Sequence, residues 1–187
     1  PAWYVAAVNF HPEMIPARLA WSISEAKLNV PFSTLFEVLI MLLAFEAVQE
    51  AGLRLPGPIG QTASILGGLV VGSAAVEAAI VSPVVLIVVA IAGIAGYTVP
   101  SQEFSAALRI WRFLLVIGAS LGGLFAVTAL TAVLVGRLAQ LESFGVPYLA
   151  PFAPGQGKDG YGVLRWPTHR VKFREAILHT RNRRRQG

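Results

Sequence analysis

PIGQTASILGGLVVGSAAVEAAIVSPVVLIVVAIAGIAGYTVPSQ, residues 58–102, contains a single charged side chain, Glu77. The hydrocarbon core of a bilayer is about 30 Å thick, and about 20 apolar helical residues are needed to cross it. The stretch therefore reads as two transmembrane helices, 59–81 and 83–99, which meet at Val81-Ser82-Pro83. So short a link permits only a tight helical hairpin. Pro83 suits the first turn of the second helix, where its missing N–H costs little. An ionisable group in hydrocarbon is expensive, so Glu77 marks a functional position.

The rest of the chain has the same character. Of 187 residues, 55% are hydrophobic and 13% are charged, against about 25% charged in a typical soluble domain. This composition excludes an ordinary soluble domain. It points to an all-α fold, a polytopic helical membrane bundle with interfacial helices and a basic cytoplasmic tail. There is no cysteine, which rules out disulfides and thiolate metal sites within this chain.

After the hairpin, 113–136 is free of charge and reads as a third transmembrane helix, closed by Arg137. Its Gly118 and Gly122 form a small-xxx-small pair suited to close helix packing. Before the hairpin, residues 1–8 read as the end of a transmembrane helix and the chain as a piece of a longer protein. Trp3 and Tyr4 are the aromatics found at membrane interfaces. Residues 9–57 are expected to form interfacial or bundle helices. A short amphipathic helix fits 17–27, between Pro16 and Pro31. The helix at 32–51 carries Glu37, Glu46 and Glu50, which exclude a lipid-facing span and leave it either interfacial or packed inside the bundle.

Residues 138–187 comprise a Pro-rich segment, with Pro147, Pro151 and Pro154, and then the tail. Up to residue 157 there are six basic and eight acidic side chains; from residue 158 there are nine basic and two acidic. The formal net charge of +5 is thus a property of the tail. Basic side chains mark the cytoplasmic side. On that rule 113–136 runs inward, 83–99 outward, 59–81 inward and 1–8 outward, provided 32–51 does not cross. Arg109 and Arg112 then fall outside, against the rule. Beside a membrane, a basic tail is expected to bind anionic lipid headgroups, at about 1 kcal/mol per Lys or Arg, and no nucleic-acid partner is expected.

Helix 59–81 has two contrasting faces. At about 100° per residue, Gly60, Ser64, Gly68 and Gly72 fall with Ala75 and Ala79 in one arc, a surface for helix packing. Thr62, Leu66, Val70, Ser73 and Glu77 fall in an arc on the opposite side. Hydroxyls toward both ends, an apolar plug at Leu66 and Val70, and a carboxylate at one mouth would make a pore wall and gate. Ordinary bundle packing on both faces, with Glu77 satisfied by a neighbour, fits the same residues. No catalytic residue, metal site or cofactor is expected. Asp159 is the one aspartate, and His11, His169 and His179 have no partner at a catalytic or ligand spacing.

Several stretches, taken in order, resemble the A subunit of the GerA family, the nutrient germinant receptors of bacterial spores. They are Phe10-His11-Pro12-Glu13; Phe45-Glu46 followed by Glu50-Ala51-Gly52-Leu53-Arg54-Leu55-Pro56; Pro58-Ile59-Gly60-Gln61 with Ser64-Ile65; Val70-Val71-Gly72 with Ala74-Ala75-Val76-Glu77-Ala78; Val81-Ser82-Pro83; and Phe144-Gly145-Val146-Pro147-Tyr148-Leu149-Ala150-Pro151-Phe152. A sister family, stage V sporulation protein AF, shares the architecture; residues 50–61 look more like the receptor branch. The resemblance implies a multi-pass protein of the spore inner membrane. It implies partnership with a transporter-like B subunit, which binds the germinant, and a lipoprotein C subunit. It further implies a homo-oligomer acting as a ligand-gated cation channel. Two rival readings are a structural scaffold of the receptor complex and a secondary-transporter component, which would bind substrate at broken helices.

Overall fold

The computed structural model describes residues 1–96 and 98–150, together with Asn182 and Arg184. The end of the Pro-rich segment, from residue 151, and the basic tail expected beyond it, apart from Asn182 and Arg184, lie outside the described residues. The described chain is mostly helical: α1 (Ala2–Phe10), a 3-10 turn (Pro12–Met14), α2 (Ala17–Lys27), α3 (Thr34–Arg54), α4 (Gly57–Glu77), α5 (Pro83–Gly96) and α6 (Gln102–Gln140). Two short strands follow, β1 (Glu142–Ser143) and β2 (Val146–Pro147). Prolines punctuate the helices: Pro16 precedes α2, Pro56 precedes α4, and Pro83 opens α5. The chain divides into two units, 1–130 and 131–187.

In the first unit, α3 is the hub and packs most extensively on α4, then on α5 and α1. Its Val38, Met41 and Leu42 are fully buried, with Val5 and Ala6 of α1, Val85 and Val89 of α5, and Val116 and Ala119 of α6. The helix therefore buries one face in the core, while Phe36, Ile40 and Leu43 on its other side stay exposed. Glu37 and Glu46 point at partners within the bundle, while Glu50 lies at the surface.

Adjacent helices alternate in direction, as their contacts show. A Cβ placed on Gly67 would lie 3.2 Å from Val48, and one on Gly68 would lie 3.9 Å from Phe45, so α4 returns antiparallel along α3. Glu37 bonds to Ser82, and a Cβ on Gly93 would lie 3.7 Å from Gln49, so α5 runs parallel to α3. Arg109 and Arg112 lie on Glu46, while Gly123 lies against Phe10 at the far end of α1.

Two helices end earlier than their hydropathy suggests. The helix expected at 59–81 stops at Glu77. Ala79 adopts φ 52°, and the N–H groups of Ile80 and Val81 turn back to the Ala75 carbonyl at 2.9 and 3.3 Å, terminating the helix. The helix expected at 83–99 stops at Gly96, followed by turn bonds from Thr98 to Ala95 and from Val99 to Gly96.

The largest departure is in α6. By length and composition Glu103–Gln140 is one helix able to cross a membrane, but its backbone is not one rod. Gly122 (φ −137°, ψ 19°) and Gly123 (φ 58°, ψ −145°) leave the helical region. A Cβ on Gly118 would lie 3.7 Å from Leu130 Cγ and 4.0 Å from Ala126 Cβ. In a straight helix the step from 118 to 130 would span about 18 Å. So α6 doubles back, and the single helix expected at 113–136 is two antiparallel arms. The cause is local: Gly123 holds a conformation open essentially to glycine alone, and the bare backbone at Gly118 admits Leu130. Hydropathy registers neither.

The second unit holds the end of α6 and the β hairpin, with Glu142 opposite Pro147 and Ser143 opposite Val146. Phe144 (φ 53°) and Gly145 (φ 75°) make its two-residue tip, a type I′ turn in which both central residues have positive φ.

Candidate functional site

The two faces of α4 meet different surroundings. Gly60, Ser64, Gly68 and Gly72 turn toward the bundle. A Cβ on Gly60 would overlap the Gly52 carbonyl oxygen and lie 3.0 Å from that of Leu55. Ser64 fills the space beside Gly52, which likewise has no room for a side chain. At Gly72 the neighbour is Leu86 of α5, 2.9 Å from an added Cβ. Glycine here permits the close backbone approach of α3 and α4. Gly118 and Gly122 serve the fold-back of α6; an added Cβ at Gly122 would lie 2.9 Å from Ala126 Cβ.

Thr62, Leu66, Val70, Ser73 and Glu77 lie on the opposite, exposed side. Leu66 is 54% exposed and Val70 58%. Leu69, at 68%, and Ile65 share this side, so the uncovered band is broader than the five residues singled out from the sequence. Ser73 donates its hydroxyl to the Val70 carbonyl at 3.3 Å, within its own helix. Among the described residues, Glu77 has no ion-pair partner.

The structure adds two polar centres on α3, half a turn apart around the helix. Glu37 is 0% exposed. Its Oε2 accepts the Ser82 N–H at 2.8 Å, and its Oε1 lies 3.4 Å from Lys27 Nζ. Lys27 also donates to the Thr34 hydroxyl. The Ser82 carbonyl accepts the Leu86 N–H at 3.2 Å, so Glu37 holds the residue that starts α5. Glu46 takes a 3.1 Å bond from Arg109 Nη1, and Arg112 stands 3.8 Å away. These three are largely buried, which accounts for charges in otherwise apolar helices. Glu50 pairs with Arg54 one turn along, at the surface. The sequence flags the carboxylates as out of place in an apolar helix but not their partners, because Glu46 and Arg109, like Glu37 and Ser82, are brought together only by tertiary packing. No group of His, Cys, Asp or Glu able to hold a metal ion occurs among the described residues.

Residues 1–182 match the family described as Bacillus/Clostridium GerA spore germination protein. The chain belongs to the GerA family. It is 42% identical to spore germination protein B1 of Bacillus subtilis (strain 168), with 93% of this chain aligned. It is 40% identical to spore germination protein GerLA of Bacillus cereus, with 97% aligned. It is 44% identical to the uncharacterized membrane protein YfkQ of Bacillus subtilis (strain 168), with 90% aligned. These alignments cover 36%, 37% and 33% of the respective relatives, so the chain spans about a third of their length. No solved structure matches it. The fold described above is thus that of one portion of a GerA-family membrane protein of spore germination. Within it, the exposed side of α4 is the feature that packing alone leaves unexplained.

Proposed function

We propose that this chain is the membrane portion of a germinant receptor A subunit, and that identical copies of it surround a cation pathway lined by α4. The observation that carries the reading is the asymmetry of α4. Its small-residue face is committed to α3 and α5 within one chain, while Leu66, Val70, Ser73 and Glu77 on its other side are exposed, which suits a face shared with a second copy around a lumen. Leu66 and Val70 form an apolar constriction that closes by dewetting, and a ring of Glu77 carboxylates concentrates cations at one mouth. Germinant binding belongs to the transporter-like B subunit, with the lipoprotein C subunit completing the complex in the spore inner membrane. The basic tail lies on anionic headgroups.

The helix directions support a revised orientation. With the C-terminus cytoplasmic, the two arms of α6 run inward and outward, α5 inward, α4 outward, α3 inward and α1 outward. The fold-back of α6 and the inclusion of α3 each add a crossing, so α4 and α5 are inverted relative to the expectation from hydropathy. Arg54, Arg109 and Arg112 then share the cytoplasmic side, in keeping with the positive-inside rule that hydropathy alone violated. Glu77 stands at the outer mouth.

Cation flux through the full-length receptor in liposomes tests the reading. Val70→Ser and Leu66→Ser should leak without germinant, because a polar constriction stays wet. Glu77→Gln should lower the current without opening the gate. Saturable substrate uptake by this subunit would favour a transporter. Normal assembly with neither flux nor uptake would leave a scaffold.

A further inference from the structure

Where α1, α3 and the α4–α5 break converge, oxygen atoms gather that secondary structure does not account for. Glu37, Ser82, Thr34 and Tyr4 are all buried. Three of their side-chain oxygens, Glu37 Oε1, Ser82 Oγ and the Tyr4 hydroxyl, have no partner within hydrogen-bond geometry among the described residues. The Tyr4 hydroxyl is close to Ser82 and interacts electrostatically with Glu37. Buried polar atoms are otherwise almost always satisfied, so each such exception calls for a cause. Among the described residues, one positive group reaches the cluster: Lys27 Nζ, 3.4 Å from Glu37 Oε1 and bonded to Thr34. Lys27 comes from α2 and is partly exposed, so the ammonium enters from the bundle surface rather than from its core.

We propose that Tyr4, Thr34, Glu37 and Ser82 form a site for a monovalent alkali cation, in which the Lys27 ammonium is a tethered and displaceable occupant. The donor set decides the class. All four ligands are hard oxygens, with no sulfur or imidazole, which selects alkali or alkaline-earth ions over transition metals. A single carboxylate matches one positive charge, whereas calcium sites gather several carboxylates. Broken helices are where membrane proteins commonly present such ligands, because chain ends there leave polar groups free. The site also has a mechanical consequence. Glu37 holds the Ser82 N–H with its other oxygen, so exchanging Lys27 for a free ion releases α2 while leaving the α4–α5 junction clamped. The site is separate from the exposed face of α4 and stands whether or not that face lines a pore.

The test uses the full-length protein at constant ionic strength, with Na⁺ or K⁺ compared against N-methylglucamine. In the wild type, pulse labelling of the Lys27 amine, read by mass spectrometry, should rise several-fold in Na⁺ or K⁺ as the ammonium is displaced. Unchanged labelling overturns the proposal. In Lys27→Met, the melting temperature should rise by several degrees in Na⁺ or K⁺ and not in N-methylglucamine. Adding Glu37→Gln should abolish that rise. A Lys27→Met protein indifferent to cation identity, or a rise that survives Glu37→Gln, overturns it equally. Tyr4→Phe on the Lys27→Met background should shift the cation titration to several-fold higher concentration, because it removes one ligand oxygen while keeping the ring.

Discussion

The fold-back of α6 can be tested by a pair of cysteines, Gly118→Cys with Leu130→Cys. A Cβ at position 118 would lie 3.7 Å from Leu130 Cγ. The crowding methyl of Leu130 disappears in the cysteine, leaving sulfurs within reach of the Cβ–Cβ separation of about 3.5–4.5 Å that a disulfide needs. A continuous helix would hold the same residues about 18 Å apart along its axis. The two alternatives thus differ by roughly fourfold in distance. This chain contributes no other cysteine, so mild oxidation should cross-link the pair intramolecularly and nearly completely, as read by accelerated gel migration or by the mass of the linked peptide. A second pair, Gly118→Cys with Ala107→Cys, lies at a comparable sequence distance on the same arm and should not link. Gly123→Ala should weaken the turn. Its φ of 58° with ψ of −145° excludes a side chain comfortably, and the new methyl would press on Phe10 Cβ at 3.0 Å and His11 Nε2 at 3.2 Å. Backbone strain of about 1–3 kcal/mol should appear as lower abundance and slower 118–130 cross-linking. Absence of the 118–130 disulfide in a protein that is present at normal levels would refute the fold-back and restore one long helix.

Gly60→Ala should destabilise the α3–α4 hairpin by about 1–3 kcal/mol, because its methyl meets backbone that cannot retreat. Gly68→Ala, whose added Cβ would lie 3.9 Å from Phe45, should be nearly neutral, and equal melting temperatures for the two variants would contradict the packing. Glu46→Ala leaves Arg109 and Arg112 largely buried without their carboxylate and should cost about 2–4 kcal/mol; removing both arginines as well should recover part of that loss in a thermal-shift series. Single cysteines at Asn29 and Ser101 report orientation. An impermeant maleimide added from outside should label Asn29→Cys and spare Ser101→Cys, and the opposite pattern would reverse the helix directions assigned above.

What the sequence determined by itself was the family and the helical class of the molecule. Apolar runs without charge, proline at helix starts and glycine at helical spacing are local signals, and local signals are written in one dimension. They gave the helices of α4 and α5 to within a few residues and picked out Gly60, Ser64, Gly68 and Gly72 as one face. Tertiary structure alone decided three things. α3 became the hub, because the cost of burying Glu37 and Glu46 depends on Ser82, Lys27, Arg109 and Arg112, which reach them only through packing. The end of α4 moved back to Glu77, since Ala79 turns under a left-handed cap that no hydropathy window registers. The run 113–136 became two arms, because a glycine pair in an apolar helix reads equally as a packing surface or as a hinge. Only the position of Leu130 against Gly118 separates the two.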